Sequence, residues 1–511
     1  MKRTFEFKTV PFGVETGGIR IAVLHEADAK SHGLKPGDRI KVSCARKQKG
    51  KRAKWTIAIL DLSTKLNLGE IGLFEETKDD LGVRARSKLL VEKYGKPDAT
   101  FYIQKKLRGA QLTKSEYFEI VNAIVKNELT DIEMTYFVAG CYAHELTVDE
   151  ITFLTQAIIK TGNPLDFGKI YPNQPIVDKH CIGGVAGNRT TALVVPIIAA
   201  AGYIIPKTSS RSITSPAGTS DTIEVMANVS LTRSQIKNVV KKTGGCLVWG
   251  GALDFAPADD KIINVEHPIS LDPIGQLIAS ILAKKKSVGS THVLIDIPVG
   301  AGAKIQSRIR ALALKKRFEL VGKKLDMKVL VVITDGTQPI GNGIGPSLEA
   351  RDIIWTLQND SRGCPRLYTK AIHMSALLLE MIGHCKAGEG TQIAKKIVDS
   401  GEAYIAFENI LNAQGLATKK IDAEQYKVGK YTFDVVAPSS GRVKHIDNKI
   451  ISRIAKLLGA PFDIGAGIYL HAHKSNMIKQ GDTMYTLYTN DLTLLKRAKA
   501  YLKKEVGFII Q

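Results

Sequence analysis

Apolar and polar positions along this chain follow two periods, and the period changes from one region to the next. In Gly18-Ile19-Arg20-Ile21-Ala22-Val23 and in Arg39-Ile40-Lys41-Val42 the alternation is twofold, the spacing of strands with one buried face. Between them Gly33-Leu34-Lys35-Pro36-Gly37-Asp38 reads as a turn, in which Pro36 fixes φ and Gly37 supplies a permissive backbone. These features predict a strand-rich domain over residues 1–95. From about Phe101 to Phe167 the spacing becomes helical. Ser115 to Asn127 places Phe118, Ile120, Val121, Ile124 and Val125 along one stripe, and Thr147 offers an N-cap with Glu150 three residues on. A small helical domain is expected over residues 100–168, with a later helical segment near 258–288.

After Pro175 strand, glycine turn and helix repeat. Val293 to Ile297 and Lys328 to Thr334 read as strands, Ile274 to Lys284 and Ser347 to Gln358 as helices. That alternation predicts a mostly parallel α/β domain over residues 170–425, with ligands beyond the C-terminal ends of its strands. From about Lys427 short strands return: Tyr431 to Ala437, a Pro438-Ser439-Ser440-Gly441 turn and Gly481-Asp482-Thr483, around one helix at Ile450 to Leu458. An α+β domain over residues 427–511 follows. The Gly33 to Asp38 segment resembles small double-psi or swapped-hairpin barrels, which implies a barrel-like form for residues 1–95. The fold class expected is therefore multidomain α/β, and 511 residues are more than one core holds.

Composition changes this picture little. With 44% apolar and 24% charged residues the chain is ordinary for a globular protein. No run of about 18 apolar residues appears, so no membrane span is expected. No apolar stretch follows Met1-Lys2-Arg3, so no signal peptide is expected either. The six cysteines are scattered, without a CxxC pair or zinc spacing, and read as reduced thiols of a cytoplasmic protein without a metal site. The net charge of +22 is compatible with nucleic acid, an acidic membrane surface or small polyanions. Its densest cluster, Arg46, Lys47, Lys49, Lys51, Arg52 and Lys54, lies between two strand-like runs and reads as a solvated hairpin tip. It lacks the aromatics that a single-strand binding surface uses, which leaves nucleic acid a minority reading.

Three glycine- and hydroxyl-rich segments fall in the α/β region. The first runs from Asp178 to Thr191 and contains Lys179, His180, Cys181, Gly183 and Gly184. The second, Lys207 to Thr219, packs seven hydroxyls and Arg211 into one loop. The third is Pro298-Val299-Gly300-Ala301-Gly302-Ala303-Lys304. Paired glycines let backbone N–H groups approach an anion, and lysine and hydroxyls complete a phosphate cradle. Singly each is a tight turn or a solvated loop. None matches the GxxxxGK[ST] phosphate loop or the GxGxxG dinucleotide fingerprint. Three together in one domain point to a phosphate-bearing ligand.

The segments "VDKHCIGGVAGNRTT", "TSSRSITSPAGTSDTIE", "APADDK", "SLDPIGQLIASILAKK" and "IDIPVGAGAK" resemble, in order and spacing, the thymidine/pyrimidine-nucleoside phosphorylase family. The resemblance covers about four fifths of the chain. The extra N-terminal domain resembles the longer, type 2 branch that includes AMP phosphorylases. It implies that Lys179, Cys181, Gly184, Thr191, Ser209 and Thr219 hold inorganic phosphate, a co-substrate, with no further cofactor. It implies nucleotide contacts from Gly184, Ser210, Arg211, Ser212, Ile213, Thr214, Ser215, Thr219, Ser280, Lys284 and Lys304, with Ser280 and Lys284 facing the base. Asp272 or His180 would protonate the leaving base. As plain structure, Asp272 is an N-cap before Pro273 and His180 a satisfied loop histidine.

Two positions depart from the pattern. Cys181 stands where the family usually has Ser, and a thiol is the weaker donor. Short-form pyrimidine enzymes place a base-reading Arg about fifteen residues before Ser280, where this chain has Asn264-Val265-Glu266-His267. The implied reaction is phosphorolysis of a nucleoside or, by preference, a nucleoside 5′-monophosphate, in a homo-oligomer. Thymidine stays open as substrate. A nucleic-acid-binding protein, or a regulator on a decayed enzyme scaffold, are the readings from other classes.

Overall fold

The computed structural model describes residues 4–45, 53–212, 215–253, 255–269 and 271–511. They form two compact units, residues 1–157 with 257–273, and residues 158–256 with 274–511.

In the first unit six strands close a barrel: β1 (Thr4–Pro11), β2 (Ile21–His25), β3 (Arg39–Cys44), β4 (Trp55–Ser63), β5 (Glu70–Leu73) and β6 (Lys88–Lys93), in the order β1-β5-β2-β4-β3-β6. β1 runs parallel to β5 and β2 parallel to β4, while the other pairs are antiparallel. Closure removes every exposed edge. Phe7, Leu24, Ile40, Val42, Leu60, Ile71, Leu89 and Val91 fill the interior. β2 starts at Ile21, later than the alternation predicts, because Gly17 and Gly18 take positive φ and Ile19 is exposed. The Pro36-Gly37 turn forms as read, closed by the Asp38 N–H donating to the Lys35 carbonyl at 3.0 Å. The basic run from Arg46 to Arg52 lies outside the described residues.

Helices Ala99–Leu107, Lys114–Val125, Asp131–Ala143, Val148–Thr161 and Pro257–Glu266 follow. Thr113 with Glu116 and Thr130 with Glu133 form capping boxes. Thr147 and Glu150 do the same, the Thr147 N–H donating to Glu150 Oε2 at 3.0 Å and the Glu150 N–H to Thr147 Oγ1 at 3.2 Å. Glu150 Oε1 also accepts from Lys106 Nζ at 2.8 Å, from the Leu112 N–H at 3.1 Å and from the Tyr117 hydroxyl at 3.1 Å. Burial alone would raise this carboxyl's pKa, but the Lys106 ammonium and the backbone donors hold it below the usual range.

The second unit contains β7 (Val177–Cys181), β8 (Ile205–Ser209), β9 (Gly245–Trp249), β10 (His292–Val299) and β11 (Lys328–Asp335). They pair in parallel as β11-β10-β7 and β8-β9, joined by a parallel bridge between Ile176 and Ile204. Such strands are buried on both faces and read as apolar runs, so the charged side chains of β7 and β10 stand out. Further on, β12 (Gly343–Ile344), β13 (Tyr431–Val436), β14 (Gly441–Ile446), β15 (Gly467–Leu470), β16 (Met477–Ile478), β17 (Thr483–Thr489) and β18 (Phe508–Ile510) form the sheets β12-β15-β17-β13 and β16-β14-β18 around helix Asn448–Leu457. β12 precedes the C-terminal strands by many residues, yet pairs with β15. Ala186 of the first glycine segment packs in the same C-terminal core.

The Lys106–Glu150 pair is closed to solvent, with side chains 2% exposed. Lys106→Met should therefore cost about 3–5 kcal/mol, because the carboxylate is left buried and unpaired. Adding Glu150→Leu should restore part of it. Urea unfolding of the single and double variants checks both statements.

Candidate active site

Strand β7 carries charge on both of its faces, because successive side chains alternate. Lys179 and Cys181 share one face. Lys179 Nζ lies 3.8 Å from Asp296 Oδ2 of β10 and donates to Thr191 Oγ1 at 3.4 Å. Asp296 Oδ2 also faces Lys370 Nζ at 2.8 Å, and Asp296 Oδ1 accepts from the Thr334 hydroxyl at 2.6 Å. On the other face Asp178 meets Lys285 Nζ at 2.9 Å and Lys207 Nζ at 3.8 Å. Lys179, Lys207, Lys285, Asp178 and Asp296 are all buried. With Lys370, these groups set four lysine amines against two carboxylates. Desolvation and mutual repulsion push Lys207 well below the ordinary lysine range, and burial lowers Lys179 too. A site with more buried lysines than carboxylates gains from an anion, which favours the charged form of those lysines.

The backbone completes the cradle. Gly183 and Gly184 take positive φ, and a Cβ on Gly184 would stand 2.3 Å from the Lys304 backbone nitrogen. The first and third glycine segments therefore touch main chain to main chain, which only glycine permits here. The third segment is held as a turn by the Ala303 N–H donating to the Gly300 carbonyl at 3.1 Å, and a Cβ on Gly300 would meet Gly336 after β11. Asn448, 1% exposed, braces these loops from the C-terminal sheets. Its Oδ1 accepts from the Ala186 N–H at 3.2 Å, and its Nδ2 donates to the Gly336 carbonyl at 3.1 Å.

The expected site residues fall as follows. Lys179, His180 and Cys181 lie at the C-terminal end of β7, Thr191 in the first turn of helix Thr190–Ala200, and Ser209 at the end of β8. The buried Ser209 hydroxyl has no hydrogen-bond partner among the described residues. Thr219 opens helix Thr219–Glu224 and accepts from Arg189 at 3.4 Å. Ser210 is exposed. Arg211 lies over the Trp249 ring, 4.8 Å from its centroid, and pairs with Glu224. The Ser212 N–H donates to Asp221 at 2.7 Å and the Ser215 hydroxyl to the Ala217 carbonyl at 2.8 Å. Ile213 and Thr214 lie outside the described residues. Ser280 and Lys284 sit one turn apart on helix Ile274–Val288, and Lys304 is exposed at the mouth of the third turn. Asp272 belongs to the first unit.

Protonation separates the candidates. His180 is held well below the ordinary imidazole value, first by burial and then by the charges of Lys285, Lys207, Lys179 and Lys284. It is a neutral ring near pH 7. Burial, with Asp296 beside it, raises the Cys181 thiol, which stays protonated and accepts from Asn188 Nδ2 at 3.2 Å. The sequence reading did not single out Asp296, Lys370, Lys207, Lys285 or Asn448 as site residues. An aspartate inside the apolar run of β10 was the available signal for the first. Lys370 and Asn448 carry no local mark, since their roles arise from tertiary packing. Among the described residues no group of three or more His, Cys, Asp or Glu is placed to hold a metal ion.

Comparison with known proteins fits this arrangement. Residues 101–162 match the helical bundle domain of a glycosyl transferase family, residues 173–404 its a/b domain, and residues 442–508 the pyrimidine nucleoside phosphorylase C-terminal domain. The AMP phosphorylase of Pyrococcus furiosus is 43% identical over 488 residues, 95% of this chain and 94% of that protein. AMP phosphorylase 1 of Archaeoglobus fulgidus is 41% identical over 483 residues, 94% and 93% of the two chains. The chain belongs to the thymidine/pyrimidine-nucleoside phosphorylase family. Its fold extends further: anthranilate phosphoribosyltransferase from Thermus thermophilus superposes with a TM-score of 0.52 at 16% identity, over 61% of this chain and 99% of that one.

Two substitutions test the cradle. Gly184→Ala has no room for its Cβ and should abolish detectable binding of inorganic phosphate. Asn448→Leu leaves two buried backbone groups unpaired and should weaken it about tenfold. Calorimetric titration with phosphate reads both.

Proposed function

We propose that this protein is a phosphorylase that cleaves the base–sugar bond of nucleoside 5′-monophosphates, AMP foremost, with inorganic phosphate as nucleophile. The observation that carries the reading is the surplus of buried lysine charge beside the Gly183–Gly184 turn. Phosphate would rest on Lys179, the turn's amides and the hydroxyls of Thr191, Ser209 and Thr219. As the bond to the base lengthens, the sugar gains oxocarbenium character, which the adjacent anion stabilises. A phosphate oxygen bonds to C1′, and the C1′–N bond breaks with its electron pair going to the base. The products are free base and a sugar 1-phosphate that keeps its 5′-phosphate.

The leaving base needs a proton. Burial first, and the neighbouring lysines after it, keep His180 neutral, so this reading gives the acid role to Asp272 and leaves His180 as a neutral hydrogen-bonding ring. Cys181 serves as a neutral thiol that lines the phosphate. Lys304, exposed where the first and third glycine segments meet, is placed in this reading on the 5′-phosphate with the Ser210–Ser215 loop. A second reading, thymidine as substrate, draws on the pyrimidine nucleoside phosphorylase C-terminal domain at residues 442–508. The full-length AMP phosphorylase relatives and the missing pyrimidine Arg favour the nucleotide.

Base release should be followed with phosphate and a panel of nucleosides and 5′-monophosphates. AMP should be cleaved far faster than adenosine or thymidine, and Lys304→Ala should erase the preference for the nucleotide. Equal turnover of AMP and thymidine would overturn the nucleotide assignment. Asp272→Asn should lower kcat by about 10²–10⁴-fold. Salt-dependent oligonucleotide binding without any base release would favour the nucleic-acid reading instead.

A further inference from the structure

Helix Ile274–Val288 carries a third polar group in line with the two that the family pattern marks. Gln276, Ser280 and Lys284 are spaced four residues apart, so they form one stripe. Gln276 is 4% exposed, and neither Oε1 nor Nε2 of its carboxamide has a hydrogen-bond partner among the described residues. A buried amide keeps both a donor and an acceptor unused only at a cost, and a bound ligand is a common reason for it.

The chemistry of the stripe narrows what that ligand group is. Lys284 offers donors only, and Ser280 offers either role from a rotating hydroxyl. Neither presents a fixed acceptor beside a fixed donor. Gln276 does, and that pairing complements an amino group next to a ring nitrogen, as on the N6/N7 edge of adenine. A 6-oxo purine shows two acceptors on the same edge, and one of them would face the carboxamide oxygen. The Arg of short-form pyrimidine enzymes offers donors alone, which suits carbonyl oxygens. Here that Arg is absent and a carboxamide is present.

We propose that Gln276 reads the base, its Oε1 accepting from the exocyclic N6 amino group and its Nε2 donating to N7, so that 6-amino purine nucleotides are chosen over 6-oxo ones. This rests on the phosphorolysis reading above and names the group that sets its base preference.

AMP and IMP share N7 and differ at C6, amino against oxo, and at N1, which carries a hydrogen only in IMP; Gln276→Met keeps the length of the side chain while removing both polar atoms. Equilibrium binding of AMP and of IMP, and base release from each with phosphate, should be measured for the wild type and for this variant. The wild type should favour AMP at least tenfold in both assays. Gln276→Met should lose about 10–100-fold for AMP and change for IMP by less than threefold, while phosphate still raises its melting temperature as in the wild type. An unmoved AMP-to-IMP ratio would overturn the assignment. So would equal losses for both nucleotides or a lost response to phosphate, which would make Gln276 a structural residue. Absence of base release from every nucleotide by the wild type would instead defeat the phosphorolysis reading, and the binding ratio would still decide the role of Gln276.

Discussion

Four lysines share two buried aspartates on the neighbouring strands β7 and β10, and the rest of the site depends on that imbalance. A balanced buried pair is content with itself, as Arg189 and Glu349 are, with Thr222 and the Ala217 carbonyl satisfying the remaining positions. The Asp178 and Asp296 systems are not balanced. Their excess charge is held inside the sheet by Lys370, Lys285 and Lys207 from separate elements, so no single element can relax it. The folded chain is thus arranged in advance for an anion, and burial together with the same lysines holds His180 well below the ordinary imidazole range.

Glycine then decides how near the anion can come. The turns after β7, β10 and β11 approach one another main chain to main chain, at Gly184 against Lys304, at Gly300 against Gly336 and at Gly187 against Gly341. Side chains at these points would hold the loops apart and leave the amide groups spread. Charge and close approach are separate requirements, and the neighbouring ends of β7, β10 and β11 meet both together.

Much of this was legible in the sequence because it was written locally. Twofold alternation marked β3 and an apolar run marked β10, the Thr147–Glu150 signature marked a real capping box, and the glycine–hydroxyl segments fell at the ends of parallel strands. What was not legible was set by tertiary contact. Lys370 is an ordinary lysine of an amphipathic helix until that helix packs over Asp296. Gln276 is an ordinary helical glutamine until burial removes water from its amide. β2 was misplaced by a few residues because two glycines of positive φ interrupt an alternation that looks continuous in the sequence.

Asn448 ties the first glycine turn to a helix 262 positions further along the chain. The Ala186 amide and the Gly336 carbonyl find their partner only on helix Asn448–Leu457, and β12 finds β15 only later still. During synthesis the chain therefore passes through a long interval in which β7, β10 and their lysines have emerged but the cradle cannot close. A chain released early would carry the charge without the shape. The glycine turns are in this way tied to the C-terminal sheets, and a molecule cut before Asn448 lacks their brace.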